Sequence, residues 1–369
     1  RLALAQLHSV LAPEVRAEPP ELAELLAGAA RRAGEPLPFP AVEKVLRAAW
    51  GGKVARELDD LDAEPAAVTP AAQVHRGLLD GAAVAVKVRR PGLTTLVRSD
   101  LGVLDALAGP LRGVLPAVDP AAILREVRER ALDELDLEHE GSVQQRFARA
   151  LRRDPLLHVP AVTSRLTHDD VLVSAWVEGR PLRAVAAGGS AEDRARLARA
   201  VVRFFAGAAR FGIVHADPHP DDVLLMADGR VAVLDFGATR PVAPDRADRA
   251  LAAFEALGTG DAARLGAAAG GERWTDADSG TALAVAMETL GPLVAGPALL
   301  DLRVLDEVGR RTEPRLAELV ELAGRSAAGP EDLWPLRSLG GLVLLLARLG
   351  AREDWVALTT AALRDGWRT

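Results

Sequence analysis

Residues 213–240 read IVHADPHPDDVLLMADGRVAVLDFGATR, and this stretch decides which fold the chain can adopt. Short apolar runs alternate with turns: a strand, a loop stiffened by two prolines, a second strand, an Asp-Gly hairpin dipeptide and a third strand. Asp222 lies five residues after Asp217, and Asp235 lies eighteen residues after it. The pattern predicts a hairpin flanked by two loops that carry three carboxylates.

The five-residue interval matches that between the catalytic base and the metal ligand in kinase catalytic loops, and the eighteen-residue interval leaves room for one hairpin before DFG. Phosphoryl transfer asks a protein mainly to position groups and to neutralise charge. It therefore needs a cation at the phosphates, carboxylates or amides that hold magnesium, and an aspartate near the accepting oxygen. The sequence predicts that Asp217 acts near the acceptor and that Asp222 and Asp235 hold Mg²⁺.

A lysine in an apolar strand supplies the cation. Lys87 lies in the run VAVKV and is one of only three lysines among 45 basic residues. A strand lysine usually extends its ammonium group from a sheet edge into water, but this chain uses arginine nearly everywhere else, which indicates a need for a compact ammonium. We expect a charged helix from about 119 to 150 to supply its acidic partner. The candidates are Glu134, Asp136 and Glu140, of which the last two share one helix face; alternatively, these acids are a solvated surface.

Six segments carry a family resemblance: AAQVHRGLLDGAAVAVKVRRPG (71–92), ELDLEHE (134–140), HVPAV (158–162), VLVSAWVEGRPL (171–182), GIVHADPHPDDVLL (212–225) and GRVAVLDFGATR (229–240). In order and spacing they resemble the UbiB family of atypical kinases, also called ADCK or AarF-like proteins. The likeness is strong over about 60–240 and extends loosely to PEDLWPLRSLGGLVLL (330–345).

The resemblance implies an α+β, protein-kinase-like fold with two lobes, a small β-containing N-lobe and a helical C-lobe, preceded by an N-terminal helical extension. We expect the extension over 1–58. The N-lobe, with an alanine-rich loop and long inserted helices, is expected over 59–180. The C-lobe, with the catalytic loop and DFG, is expected over 181–369.

The resemblance also assigns roles by position. Asp217 and Lys87 are the expected catalytic residues, and Asp222 and Asp235 are the expected metal ligands. The stretch Ala66–Ala72 is expected to cover the nucleotide. The expected ATP-binding residues are Lys87, its partner Glu140, Ala71, Ala72 and, through backbone groups that receive the adenine, Ala175 and Val177. Glu134 and Asp136 correspond to the family's ExD element.

Two motifs depart from the family pattern. The family's KxGQ element is matched here by ALAQ, with Ala3 and Ala5 in place of lysine and glycine. The family's HPGN is HPDD, so that Asp221 replaces glycine and Asp222 replaces asparagine. Activity is therefore a separate question from fold.

The expected function is a UbiB-type atypical kinase or ATPase that binds ATP and Mg²⁺ and supports the biosynthesis or handling of ubiquinone or another prenyl lipid. One alternative is a nucleotide-binding or inactive pseudokinase that acts as a scaffold. A second is a metal-dependent hydrolase that uses only the loop residues His215, Asp217, His219 and Asp222.

The composition of the chain limits the classes of molecule that it is expected to bind. A net charge of −7 with mixed charges gives no support for nucleic-acid binding, and the absence of cysteine excludes thiol chemistry. No apolar run reaches the roughly 20 residues of a membrane span, and no export signal is evident. We expect a cytoplasmic protein, with ATP, a prenyl lipid or quinone precursor and a peripheral membrane surface as partners.

Overall fold

A computed structural model describes residues 35–69, 71–93 and 135–367. They form two compact units. The first contains the described residues up to Ala148 together with Pro160–Val177, and the second contains Arg149–Val159 and the described residues from Glu178 onward. The ALAQ stretch of the N-terminal extension and Glu134 lie outside the described residues.

The described strands are β1 (Asp60–Leu61), β2 (Ala67–Val68), β3 (Ala72–Leu79), β4 (Ala82–Arg89), β5 (Leu157–His158), β6 (Val171–Ala175), β7 (Arg180–Pro181), β8 (Ile213–His215), β9 (Val223–Leu225), β10 (Val231–Val233), β11 (Thr239–Pro241), β12 (Ala298–Leu300) and β13 (Ala351–Glu353). The described α-helices are α1 (Phe39–Trp50), α2 (Leu137–Ala150), α3 (Leu182–Gly188), α4 (Ala191–Ala208), α5 (Pro244–Thr259), α6 (Ala262–Ala269), α7 (Asp276–Val294), α8 (Leu302–Thr312), α9 (Leu316–Gly324), α10 (Leu333–Leu349) and α11 (Trp355–Asp365).

The first unit is built on an antiparallel sheet in the order β1-β3-β4-β6, with β2 also paired to β3. The turn between β3 and β4 is the Asp-Gly dipeptide at 80–81. Asp80 has φ 51° and Gly81 has φ 74°, the two left-handed positions that a two-residue hairpin turn requires. The hairpin aligns β3 with β4 along their whole length.

Alternation along β4 separates a core face from a polar face. Val84, Val86 and Val88 are buried, and α1 packs on them through Val42 and Leu46. Because successive side chains of a strand point to opposite faces, Lys87 lies on the face of the sheet away from this core. The packing of α1 thus fixes which way the lysine points.

The second unit is mainly helical. Helix α4 begins at the N-cap Ser190, whose side chain accepts a hydrogen bond from the backbone N–H of Asp193. Its apolar positions include Leu197, Val201 and Phe204, which are all buried, and it packs against α10 and α11. Two small sheets, β5-β10-β9-β7 and β8-β11, carry the loops of interest. The α+β class predicted from the sequence is confirmed.

One helix boundary differs from the prediction. The helix that ends at Ala150 begins at Leu137, so no continuous helix runs through Leu135 and Asp136. The Asp136 carboxylate accepts the backbone N–H of His139 at 2.8 Å, which makes Asp136 a capping residue. The prediction that Asp136 and Glu140 share one helix face was wrong.

No helix within 35–69, 71–93 and 135–367 combines the length and the apolar character that crossing a bilayer requires.

Candidate functional site

The first unit contains a buried ion pair. Lys87 Nζ on β4 lies 2.8 Å from Glu140 Oε1 and 2.9 Å from Oε2 on α2. The lysine side chain is 19% exposed and the glutamate side chain is 4% exposed. Both carboxylate oxygens therefore act on one ammonium in a partly desolvated setting, where charge-assisted hydrogen bonds are stronger than in water.

A glycine allows α2 to approach the sheet closely enough for this pair. A Cβ at Gly141 would lie 2.9 Å from Thr167 Cγ2 and 3.0 Å from Leu172 Cδ1, so a side chain at this position would require these neighbours to shift. The backbone N–H of Leu137 donates to the carbonyl of Asp169 at 3.2 Å and ties the start of the helix to the turn before β6. Glu140 lies in the first turn of this anchored helix.

The alanine-rich stretch forms a tight turn between β2 and β3. Thr69 N–H donates to the Ala72 carbonyl at 2.8 Å, and Ala72 N–H donates to Thr69 Oγ1 at 3.0 Å. The carbonyl of Ala71 accepts the Arg90 N–H at 2.9 Å. The backbone of Ala72 is thus used to hold the turn, and Pro70 lies outside the described residues.

The strand end assigned to adenine binding is partly engaged within the first unit. Ala175 N–H donates to the Ala161 carbonyl at 2.8 Å, and Trp176 N–H donates to the Ala83 carbonyl at 3.0 Å. The backbone N–H of Ala175 is therefore already hydrogen-bonded within the protein. Val177 is the remaining predicted residue of this stretch.

In the second unit, His215 joins the loop of Asp217 to the loop of Asp235. His215 is buried, and its Nε2 lies 2.7 Å from the Asp235 carbonyl oxygen, while the Asp217 N–H donates to its Nδ1 at 3.4 Å. A carbonyl accepts only, so Nε2 carries the proton and Nδ1 is the acceptor. The rings of Phe205 and Phe236 pack edge-on against the imidazole. His215 thus connects the backbones of both loops.

Asp222 and Asp235 leave the same end of the β9-β10 hairpin. Val223 pairs with Val233, and the Leu234 N–H donates to the Asp222 carbonyl at 3.0 Å. Asp235 Oδ1 accepts the Gly237 N–H at 3.0 Å, which shapes the DFG turn. Two carboxylates at one hairpin end suit Mg²⁺, which prefers oxygen ligands and completes its shell with water and phosphate oxygens.

The described residues do not provide the metal ligands that the hydrolase alternative needs. Both ring nitrogens of His215 are engaged by the backbone of neighbouring loops, so this residue is a structural histidine. Within the described part of the chain, no three His, Asp or Glu side chains are grouped so that they could hold a metal ion. The described residues therefore do not support the alternative in which His215, Asp217, His219 and Asp222 hold a metal ion.

Asp221, which replaces the family's glycine, pairs with Arg183 on α3. Its carboxylate thus has an exposed ion-pair partner in the same unit. Among the described residues, Asp80 is the only one other than glycine with a positive φ, so position 221 does not require glycine. The substitution introduces no backbone strain.

The sequence did not single out Arg337. This residue of α10 lies 3.0 Å from Asp217 Oδ1 through its Nη2, and its Nε donates to the Ala216 carbonyl at 3.1 Å. The available signal was an arginine in the middle of the apolar run LWPLRSLGGLVLLLARL. That signal does not tell a loop partner from an ordinary surface arginine.

The model of the ABC1 atypical kinase-like domain matches residues 31–269. The chain belongs to this family. The match covers the first unit, the loops of Asp217 and Asp235, and the helices up to α6, and the predicted UbiB-type family is confirmed.

Curated proteins are similar to this chain over part of their length. A probable protein kinase UbiB of Marinobacter nauticus is 30% identical over 220 residues, which are 56% of this chain and 40% of that protein. The chloroplastic protein ACTIVITY OF BC1 COMPLEX KINASE 8 of Arabidopsis thaliana is 32% identical over 228 residues, which are 59% of this chain and 30% of that protein. The matched region thus spans less than half of each of these relatives.

A solved structure shares the fold. A Mycobacterium tuberculosis protein determined as its complex with erythromycin aligns with TM-score 0.70 and 23% identity, over 98% of this chain and 91% of that chain. The kinase-like α+β fold predicted from the sequence is thereby confirmed.

Proposed function

We propose that this ABC1-family chain binds Mg-ATP and acts as an atypical kinase or ATPase. The observation that carries the proposal is the ammonium of Lys87 held by both oxygens of Glu140. Kinases use such a pair to fix the lysine that binds the nucleotide phosphates, and the sequence places this lysine in the strand where that role is expected.

The acids to which we assign the remaining roles lie in loops of the second unit. Asp222 and Asp235 would hold Mg²⁺, which when bound neutralises phosphate charge. Asp217 would accept the proton of the attacking hydroxyl or water near the accepting oxygen. Since the N–H groups of Ala175 and Trp176 are engaged, we assign adenine recognition to the backbone of Val177.

The physiological role we propose is support of ubiquinone or another prenyl lipid at a membrane surface. It rests on the likeness to proteins named UbiB. A prenylquinone precursor or dispersed lipid is therefore the first additive to test in an ATP turnover assay.

The proposal is tested by Mg-ATP turnover of the parent chain and two methionine variants. Lys87→Met keeps the apolar stem and removes the ammonium, and we expect a loss of at least about 100-fold because an electrostatic contact to the phosphates is removed. Lys53→Met is the matched control, since Lys53 is an exposed lysine of the same unit, and it should retain full turnover.

Equal turnover in Lys87→Met and the parent chain would contradict the site. Mg-ATP binding without turnover in the parent chain would favour the scaffold alternative, for which the change of HPGN to HPDD is the motivating observation.

A further inference from the structure

Helix α10 packs directly on the loop that carries Asp217, although the two are about 120 residues apart in sequence. Ser338 Oγ donates to the His215 carbonyl at 2.7 Å. A Cβ at Gly341 would lie 2.9 Å from Cδ of Pro218, so a larger residue here would require the helix or the proline ring to shift. Arg337, Ser338 and Gly341 lie within about one helical turn and present one face to the loop.

Arg337 holds both the backbone and the side chain of the loop. Its Nε donates to the Ala216 carbonyl, and its Nη2 donates to the carboxylate of the next residue, Asp217. The guanidinium is planar, so the bond from Nε to the Ala216 carbonyl sets the direction from which Nη2 meets the Asp217 carboxylate. The arginine side chain is 20% exposed and the aspartate side chain is 42% exposed. The Asp217 carboxylate is therefore held by the helix and remains partly accessible to solvent.

The helix that carries Arg337 is itself anchored at its start. Arg246 on α5 pairs with both Glu331 and Asp332, immediately before α10 begins at Leu333. These charge-assisted hydrogen bonds raise the pKa of Arg246 despite its partial burial. Trp334, in the first turn, packs against Val214 of β8 and against Ala216. Arg337 therefore approaches Asp217 from a fixed support.

We propose that Arg337 is the positioning residue of Asp217: it holds the carboxylate in the orientation needed to accept a proton from the attacking hydroxyl or water. This inference rests on the proposed function. It assigns to a helix near the C-terminal end of the chain a role in the catalytic step and none in nucleotide binding.

The test measures kcat and KM for Mg-ATP, with the Kd for Mg-ATP, in four proteins. Arg337→Met should lower kcat by about 10- to 100-fold and change KM and Kd by less than about twofold, since a small misplacement of a reacting group costs up to about 10²-fold in rate. Arg337→Lys keeps the positive charge but loses the planar set of N–H donors, so its kcat should lie between those of the parent chain and Arg337→Met. Arg325→Met is the control, because Arg325 forms a comparable 2.9 Å ion pair with Asp278 in the same unit.

The outcomes separate this inference from the proposed function. If the parent chain turns over Mg-ATP and Arg337→Met matches Arg325→Met in kcat, the inference is overturned and the proposed function stands. If Arg337→Met raises KM or Kd as much as it lowers kcat, a positioning role is also overturned. If the parent chain shows no turnover, the proposed function fails and this inference fails with it. If Arg337→Met does not fold, Arg337→Lys is used as the test instead. An unchanged kcat in Arg337→Lys then overturns the inference.

Discussion

At the residue scale, the most informative feature is the pair of Lys87 and Glu140. Glu140 is almost fully buried and faces an ammonium that is itself mostly covered. Removing one partner of such a pair leaves the other charge poorly solvated, whereas removing both together is far less costly.

We predict a strong coupling between these two residues in the free energy of unfolding. Glu140→Gln alone should destabilise the chain by about 3 kcal/mol, and Lys87→Met by a similar amount. The double variant should recover about half or more of the summed loss. Urea unfolding of the four proteins checks this, and additive losses would show that the two side chains do not stabilise each other.

Part of the site was predictable residue by residue. The intervals in HADPHPDD and DFG selected Asp217, Asp222 and Asp235 as candidates, because a local motif carries its own spacing, and the structure brings Asp222 and Asp235 to one hairpin end. Physical reasoning left three acids open as partners of Lys87, and only the family resemblance selected Glu140. Arg337 was not predicted, since a contact between positions 217 and 337 leaves no periodic signal in the sequence.

At the scale of elements, the packing of α10 on the Asp217 loop gives a matched pair of glycines. Gly340 has open space around its Cβ position, and Gly341 lies against the ring of Pro218. Replacing a helical glycine by alanine stabilises a helix by up to about 1 kcal/mol, but overpacking costs about 1–3 kcal/mol.

We therefore predict opposite effects of the two alanine substitutions. Gly340→Ala should raise the free energy of unfolding, and Gly341→Ala should lower it, with a difference of at least about 1 kcal/mol between them. Thermal or urea unfolding measures both. Equal stability of the two variants would mean that α10 does not contact Pro218.

The start of α7 contains a carboxylate, Asp278, whose contribution to stability should depend on pH. The backbone N–H of Thr275, and then its hydroxyl, donate to the Asp278 carboxylate and hold the pKa of Asp278 below its usual range. A depressed folded-state pKa stabilises the fold above the ordinary carboxyl pKa, and this stabilisation is lost as the pH falls through the depressed value.

Asp278→Asn should therefore be less stable than the parent chain at pH 7, and the difference should shrink as the pH is lowered below about 4. Urea midpoints measured from pH 7 to pH 2.5 check this. A difference that stays constant over the whole range would contradict the assigned cause.

Hairpins were easier to predict than helix boundaries. The Asp-Gly dipeptides at 80–81 and 228–229 mark turns by local backbone conformation, and both lie between paired strands. The start of α2 was misplaced because both Asp119-Pro120 and Asp136 are suitable helix starts, and sequence alone does not rank two such caps.

At the scale of the whole molecule, the proposed function assigns roles to residues of both units. All of these residues lie within the part of the chain that the family model matches. A ligand that binds only the folded chain stabilises it in proportion to the logarithm of its concentration. Mg-ATP at about 100 times its Kd should therefore add about 2.7 kcal/mol to the free energy of unfolding.

We predict that this stabilisation depends on the metal. With excess EDTA the shift produced by ATP should fall to a small fraction of its value with Mg²⁺, since the carboxylates of Asp222 and Asp235 would then face the phosphates without a cation between them. Differential scanning calorimetry measures the shift. An equal shift with and without the metal would contradict the assignment of these two acids.

The most direct test of the central claim is Mg-ATP turnover by Asp235→Ala measured beside Lys87→Met, one variant in each unit. The account predicts that each variant alone falls to background while the parent chain hydrolyses or transfers phosphate. Turnover at the parent rate in either variant would contradict it.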